Sequence, residues 1–463
     1  MRIPFSLHAR RTAVAAVTAL SLTGLSACGG SSGSGSDSTS LEMWTFKQSH
    51  VAALRTAAAA FKKQTGISVT IEAYTPDDAY TTKVQSAAKT GDLPDVLEVH
   101  SDGEDRVFGA AGIVNDLAAD FTGDWAERIQ PQVHDSGLVT DARYEAAQPE
   151  SARDHGIEKG ARYSVPLTVG TFGIVFANKK MLADAGITKA PADWEEFLAD
   201  LKKTRAKNAR TGGVSLGLKV QATGLTWVLQ PLAFSQLGKA GYESLFKKDR
   251  SADFGSPNGV KVLSLYDQMT PYWMPGTQSL TIDEGDQAFA QGKSAFDIGG
   301  TFTLAFLKQN GMNPDDVLAF GLPSPKDGAV PDRALGPLAL TSLSIPATSK
   351  QPDNAKKWME FLSQEKVAAQ FAKDSSDLPA TELGAGSADV LGPTLAALVD
   401  SFKGEPAHTY EPSPAVEFRA PGYEQDDAGA ILADLTPLGR QSVQETAAKL
   451  RALNDSYWAA AKQ

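Results

Sequence analysis

Between Leu41 and Val99 the chain alternates strand-like and helix-like spacing, and that order admits few folds. Leu41 to Phe46 reads as a strand. Ser49 is placed to cap a helix in which Val51, Leu54, Ala58 and Phe61 share one face, with Gly66 at its end. Ile67 to Tyr74 is β-branched and alternating, as a second strand should be. Asp77 to Thr90 follows as a helix with Tyr80, Val84 and Ala87 or Ala88 inward, stopped by Gly91, and Val96 to Val99 is a third strand. A βαβαβ order calls for a parallel sheet covered by helices on both faces. Ligands of such sheets bind beyond the carboxyl ends of the strands, which points at Lys47, Gln48 and Ser49 and at His100, Ser101 and Asp102.

A second dense stretch runs from Tyr163 to Lys203: an extended crossing, a strand and two helices. Phe172 to Ala177 is apolar and Gly-bounded. Asn178 is a cap for a helix that stops at Gly186, and Pro191 opens another in which Trp194, Phe197, Leu198 and Leu201 share a face. Residues 103–162 give mixed signals. Beyond the crossing, 213–218 is a short strand candidate, QATGLTWVLQPLAFSQLG a helix or broken helix, 258–269 a helix, and 283–291 an acidic helix. Ser294 to Ile298 and Leu338 to Ile345 read as strands. Ala319 to Pro323 is extended, Ala355, Trp358 and Leu362 mark a helix, and roughly Arg440 to Ala461 is the last one.

At 463 residues the chain exceeds one comfortable core, so two lobes are expected. Its 44 basic and 55 acidic residues give −11. Residues 1–27 hold Arg2, Arg10 and Arg11 and no acid, so without them 41 basic face 55 acidic residues, a net of −14. An acidic surface argues against nucleic acid and against charge-driven attachment to anionic lipid. Arg2, Arg10 and Arg11 precede an apolar run from Thr12 to Leu25, and Leu25-Ser26-Ala27-Cys28 follows. That pattern is a signal peptide over 1–27, ending like a bacterial lipobox in which the Cys28 thiol is lipidated. Sec and twin-Arg export both remain open. Residues 28–40, rich in Gly and Ser, form a flexible tether.

Cys28 is the one cysteine, which excludes an internal disulfide and a thiolate metal cluster. The six histidines, at 8, 50, 100, 134, 155 and 408, show no metal-ligand spacing, and no phosphate-binding or dinucleotide glycine pattern occurs. Gly213-Val214-Ser215-Leu216-Gly217 matches the hydrolase elbow, but small residues in a strand explain it better. No cofactor and no catalytic residue is expected. Aromatic side chains carry more information, because sugars stack their C–H faces on such rings. Trp44, Trp227, Tyr272, Trp273 and Phe302 lie near strand ends or in irregular stretches, and core packing is the competing reading of each.

Several of these segments together resemble family 1 extracellular solute-binding proteins, the maltose-binding-like receptors of ABC importers. The resemblance is carried by MWTF, by GDLPDVLEV, by the Tyr163–Lys203 crossing with its P-x-x-W-x-E-F helix, by QATGLTW, by GKSAFDIGGTF and by KKWMEFLSQEKVAAQFAK. It implies an α/β, two-lobe, periplasmic-binding-protein-like fold of type II, with interlobe hinge crossings and a central ligand cleft. Lobe one would hold 41–166 and 320–364, and lobe two 167–319 and 365–463, with Ala319 to Pro323 as the return crossing. It also places Trp227 and Phe302, with Gly300 before it, at a sugar cleft. Asp102 matches a hydroxyl acceptor and Thr171 a cleft-lining crossing. With Trp44, Lys47, Gln48, His100 and Trp273 these complete the expected ligand-binding set.

The implied function is a monomeric lipoprotein on the outer face of the cytoplasmic membrane. It captures a carbohydrate, an oligosaccharide or glycoside, and delivers it to an ABC permease. A receptor for a polyamine, polyol or phosphorylated compound is the alternative. A secreted carbohydrate-active enzyme is a further one, and it would need two carboxylates across the cleft.

Overall fold

The computed structural model describes residues 40–101, 103–150, 152–248, 252–384, 387–412 and 418–461. The expected signal peptide, Cys28, nearly all of the expected tether and Asp102 therefore lie outside the described residues. Eleven strands occur among those described: β1 Ser40–Thr45, β2 Ser68–Ala73, β3 Val96–His100, β4 Val165–Gly170, β5 Phe172–Asn178, β6 Val214–Ser215, β7 Phe296–Gly300, β8 Val317–Gly321, β9 Ala334–Leu335, β10 Leu338–Ser344 and β11 Thr409–Tyr410. One sheet has the order β2-β1-β3-β10-β4 and another β6-β7-β5-β8, while β9 and β11 form a small pair.

The βαβαβ expectation holds. β1 runs parallel to β2 and β3, joined by helices Val51–Thr65 and Asp77–Thr90. Val51, Leu54, Ala58 and Phe61 are buried, and Gly66 and Gly91 end the two helices in the left-handed conformation that costs a glycine little. The sheet is mixed, because β10 lies antiparallel between β3 and β4. Two helix starts differ from expectation. Helix Val51–Thr65 is entered through a 3-10 turn, Gln48–His50, and is capped at His50 with no side-chain bond, so Ser49 is not its cap. Asp193, not Pro191, opens helix Trp194–Lys207, because its carboxylate accepts the Glu196 N–H at 2.8 Å. Asn178 caps its helix as expected, accepting from the Met181 N–H at 3.1 Å.

Three passages link the sheets. Thr171 separates β4 in the first from β5 in the second. Val317–Gly321 is still a strand of the second sheet, antiparallel to β5, and the chain returns to the first only at β10, so the stretch to Pro323 is not itself the crossing. Finally, residues 377–381 run along β4, with the Val169 N–H donating to the Leu378 carbonyl and the Ala380 N–H to that of Leu167. Helix Ser387–Asp400 then packs on both β8 and helix Glu365–Ser375. Helices Gln425–Leu435 and Val443–Ala460 complete the second lobe against segment Gly224–Leu229 and helix Pro257–Asp267. The largest apolar core runs through both sheets, while Trp44, Phe46, Tyr80, Val84 and Phe108 build a separate one over the outer face of the first.

Candidate functional site

Where the first passage enters the second lobe, three aromatic rings come together. Phe172 stacks on Trp227 with centroids 5.3 Å apart and planes 8° from parallel. Phe302 meets both edge-on, at 6.4 and 6.1 Å. The stacking needs close backbone approach: Gly173 has φ +78, and a Cβ there would lie 2.7 Å from the Trp227 carbonyl. Trp227 itself sits in a turn of π-helix, Gly224–Leu229, a wide coil often found where a helix is shaped around a site. Gly300 serves Phe302 similarly, since a Cβ at 300 would overlap its ring. From the first lobe, Lys47 brings its Nζ to 4.5 Å from the Phe302 centroid and 5.5 Å from that of Phe46. A cation held over aromatic rings is worth about 0.5–2 kcal/mol.

Phe46 in turn stacks on His100 at 4.0 Å, and His100 lines an open cavity of about 910 Å³. One wall comes from the first lobe, with Thr81, His100, Glu104 and Arg106; the other from the second, with Arg419, Tyr423 and Gln425. Glu104 accepts from His100 Nδ1 at 3.1 Å and from the Thr81 hydroxyl at 2.7 Å. Burial pushes the Glu104 carboxyl up, but His100 outweighs it and holds it below the usual range. Arg106 donates from Nε to Asp154 at 2.9 Å. Arg419 is 8% exposed, with its guanidinium 5.1 Å from the Phe246 ring, 5.7 Å from Tyr423 and 5.8 Å from Phe418.

Of the expected site residues, the structure thus brings together Lys47, His100, Trp227, Gly300 and Phe302. Thr171 is fully buried at the passage, its N–H on the Thr301 hydroxyl at 3.3 Å and its own Oγ1 without a hydrogen-bond partner. Gln48 is exposed on the 3-10 turn. Trp44 and Trp273 belong elsewhere. The Trp44 ring packs in the outer core against Tyr74 at 5.0 Å and donates its indole N–H to Glu42. Trp273 is 4% exposed within the second lobe and donates to the Thr436 hydroxyl at 2.7 Å. Phe172, Glu104, Arg106, Arg419 and Tyr423 were not singled out from the sequence. Phe172 reads there as one more apolar strand residue, and nothing local marks Arg419.

Two buried titratable centres flank the passages. In the first lobe His50 places Nδ1 2.8 Å from Glu98 and Nε2 3.1 Å from Asp377, joining β3 to the third passage. Burial draws the imidazole down, but the two carboxylates outweigh it and raise its pKa to about 9. In the second lobe Asp286 and Asp297 are buried together with the Ser215 and Thr303 hydroxyls. Burial, and for Asp286 also the Asp297 charge, pushes both up: Asp297 to about 6, Asp286 further. The Ser215 hydroxyl donates to Asp297 at 2.6 Å and is fully buried, so the elbow-like GVSLG segment presents no accessible nucleophile. No group of three His, Cys, Asp or Glu among the described residues could hold a metal ion, and no helix among them is long and apolar enough to cross a membrane.

Two α/β lobes are joined by three chain passages, with a cavity walled from both sides. The family model "Bacterial extracellular solute-binding protein" matches residues 47–369, and the chain belongs to that family. A putative binding protein of Brucella abortus is 26% identical over 48% of this chain and 51% of its own, so the match spans about half the length of that relative. The maltodextrin-binding protein MdxE of Bacillus subtilis is 28% identical over 50% of this chain and 52% of its own. A solved structure from work on xylan utilization by Caldanaerobius polysaccharolyticus superposes with a TM-score of 0.67 at 17% identity, over 89% of this chain and 99% of that one. That likeness concerns the fold.

Proposed function

We propose that this protein is the solute receptor of an ABC importer, exported and held on the outer face of the cytoplasmic membrane by lipid on Cys28. It captures a carbohydrate between its lobes and presents the closed form to a permease. It is not an enzyme and acts as a monomer. The cavity walled by both lobes, linked through His100, Phe46 and Lys47 to the Phe172–Trp227–Phe302 group, carries this reading. A solute touching both walls favours the closed arrangement because only that arrangement supplies both sets of contacts. The rings give a sugar its apolar faces, and the polar walls give its hydroxyls partners. The maltodextrin named for MdxE points to the same class of solute. We place lobe one around the first sheet and lobe two around the second, with Lys47, His100, Thr171, Trp227, Gly300 and Phe302 toward the solute.

Thermal unfolding of the full chain in mild detergent, against sugars, polyols, polyamines and peptides, tests this. A sugar at a hundred times its dissociation constant adds about 2.7 kcal/mol to stability. That gain is expected to fall by at least half in Phe302→Ala. A saturable shift with a polyamine and none with any sugar would replace the solute class. Radiolabelled palmitate entering the wild type but not Cys28→Ser checks the anchor.

A further inference from the structure

Building on that receptor reading, and resting on it, we infer that the solute carries an anionic group, a uronate carboxylate or a sugar phosphate, received by Arg419. The Arg419 side chain lines the cavity while more than nine-tenths buried, and its Nε, out of contact with solvent, has no hydrogen-bond partner. Its neighbours are the rings of Phe246, Phe418 and Tyr423 and the side chain of Tyr242, and among the described residues no carboxylate pairs with it. The other acids at the cavity are placed differently. Glu104 is bound to His100 and Thr81, Asp154 to Arg106, and Glu424 is exposed.

A buried guanidinium without an anion is costly, and one packed among three rings has little room to turn its fork. Such a fork matches the two oxygens of a carboxylate or phosphate. The opposite lobe supplies a second cation without an acid partner among the described residues, Lys47, whose Nζ lies over Phe302. In a chain of net charge −11, a buried cation with no matching acid among the described residues gives the cavity a local positive potential. A neutral oligosaccharide would leave it without an anion. An acidic one gives Arg419 the anionic partner that none of the described residues supplies.

Calorimetry of the full chain with trigalacturonate, its fully methyl-esterified form, maltotriose and glucose 6-phosphate separates the cases. The ester removes the charge of each carboxylate and adds a methyl group in its place. Trigalacturonate is expected to bind, the ester at least about tenfold more weakly, and Arg419→Gln to weaken the acid about 10- to 100-fold while leaving the ester nearly unchanged. Arg419→Lys, which keeps the charge but not the fork, should fall between. Because Arg419→Gln could loosen the ring cage, its ligand-free melting is compared with wild type. Salt titration of the wild type supplies a variant-free check, weakening the acid and not the ester. Glucose 6-phosphate binding with the same Arg419 dependence would identify phosphate as the source of the anion. Maltotriose or the ester binding as tightly as the acid would overturn the inference and leave the receptor standing. Silence from every sugar, acidic and neutral, would overturn the inference together with the carbohydrate reading.

Discussion

The two lobes bury charge in opposite ways. In the first, His50 sits between Glu98 and Asp377, a cation matched by two anions. In the second, Asp286 and Asp297 face each other beside hydroxyls and a further carboxylate, Asp283, so like charges meet unless a proton stays between them. The first arrangement fastens the third passage to the sheet. The second leaves a titratable pair under the turn that presents Gly300 and Phe302. One lobe should therefore hold best where its histidine is charged, and the other where its carboxyl pair keeps a proton.

Breaking the first centre has the largest expected effect. His50→Ala strands two buried carboxylates and should cost about 3–5 kcal/mol in urea unfolding at pH 7. A loss below about 1 kcal/mol would mean that Glu98 and Asp377 need no cation. Titration sharpens the contrast. The His50 pKa is raised above its unfolded value near 6.5, so its contribution is complete below that pH and is lost as pH rises through about 9. About 3 kcal/mol should disappear over that window in wild type and not in His50→Ala. Asp297 is raised too, and the same sign holds: its contribution is present near pH 4 and lost as pH rises through about 6. The smallest effect tests the second lobe. Asp286→Asn removes one of the two like charges and should stabilise the protein by about 1–2 kcal/mol at pH 8, with less gain at pH 5. Equal gains at both pH values would show that the pair is not what titrates.

Much of the framework was legible because its signals are short-range. Helix Asp77–Thr90 and its Gly91 stop follow from spacing within a dozen residues. Where two local signals compete, spacing does not decide. Ser49 and Pro191 are both plausible helix openers, but His50 is claimed by Glu98 and Asp377, and Asp193 offers an acceptor that proline lacks. The site was partly legible, Phe302 through resemblance and Lys47 through its place beyond the end of a strand. Arg419 lay beyond reach because its cage comes in part from Phe246, far away in sequence. Asp286 read as one residue of an acidic helix, since nothing nearby in sequence announces Asp297 as its neighbour in space.

The interleaving of the sheets has a consequence for how the molecule is made. Ser101 and Ser342, which share a hydrogen bond at 2.7 Å across β3 and β10, are 241 residues apart. The first sheet cannot close until most of the second lobe has been synthesised, and pairings that wait on such distant partners form slowly. The topology itself holds the N-terminal half open until the C-terminal half arrives.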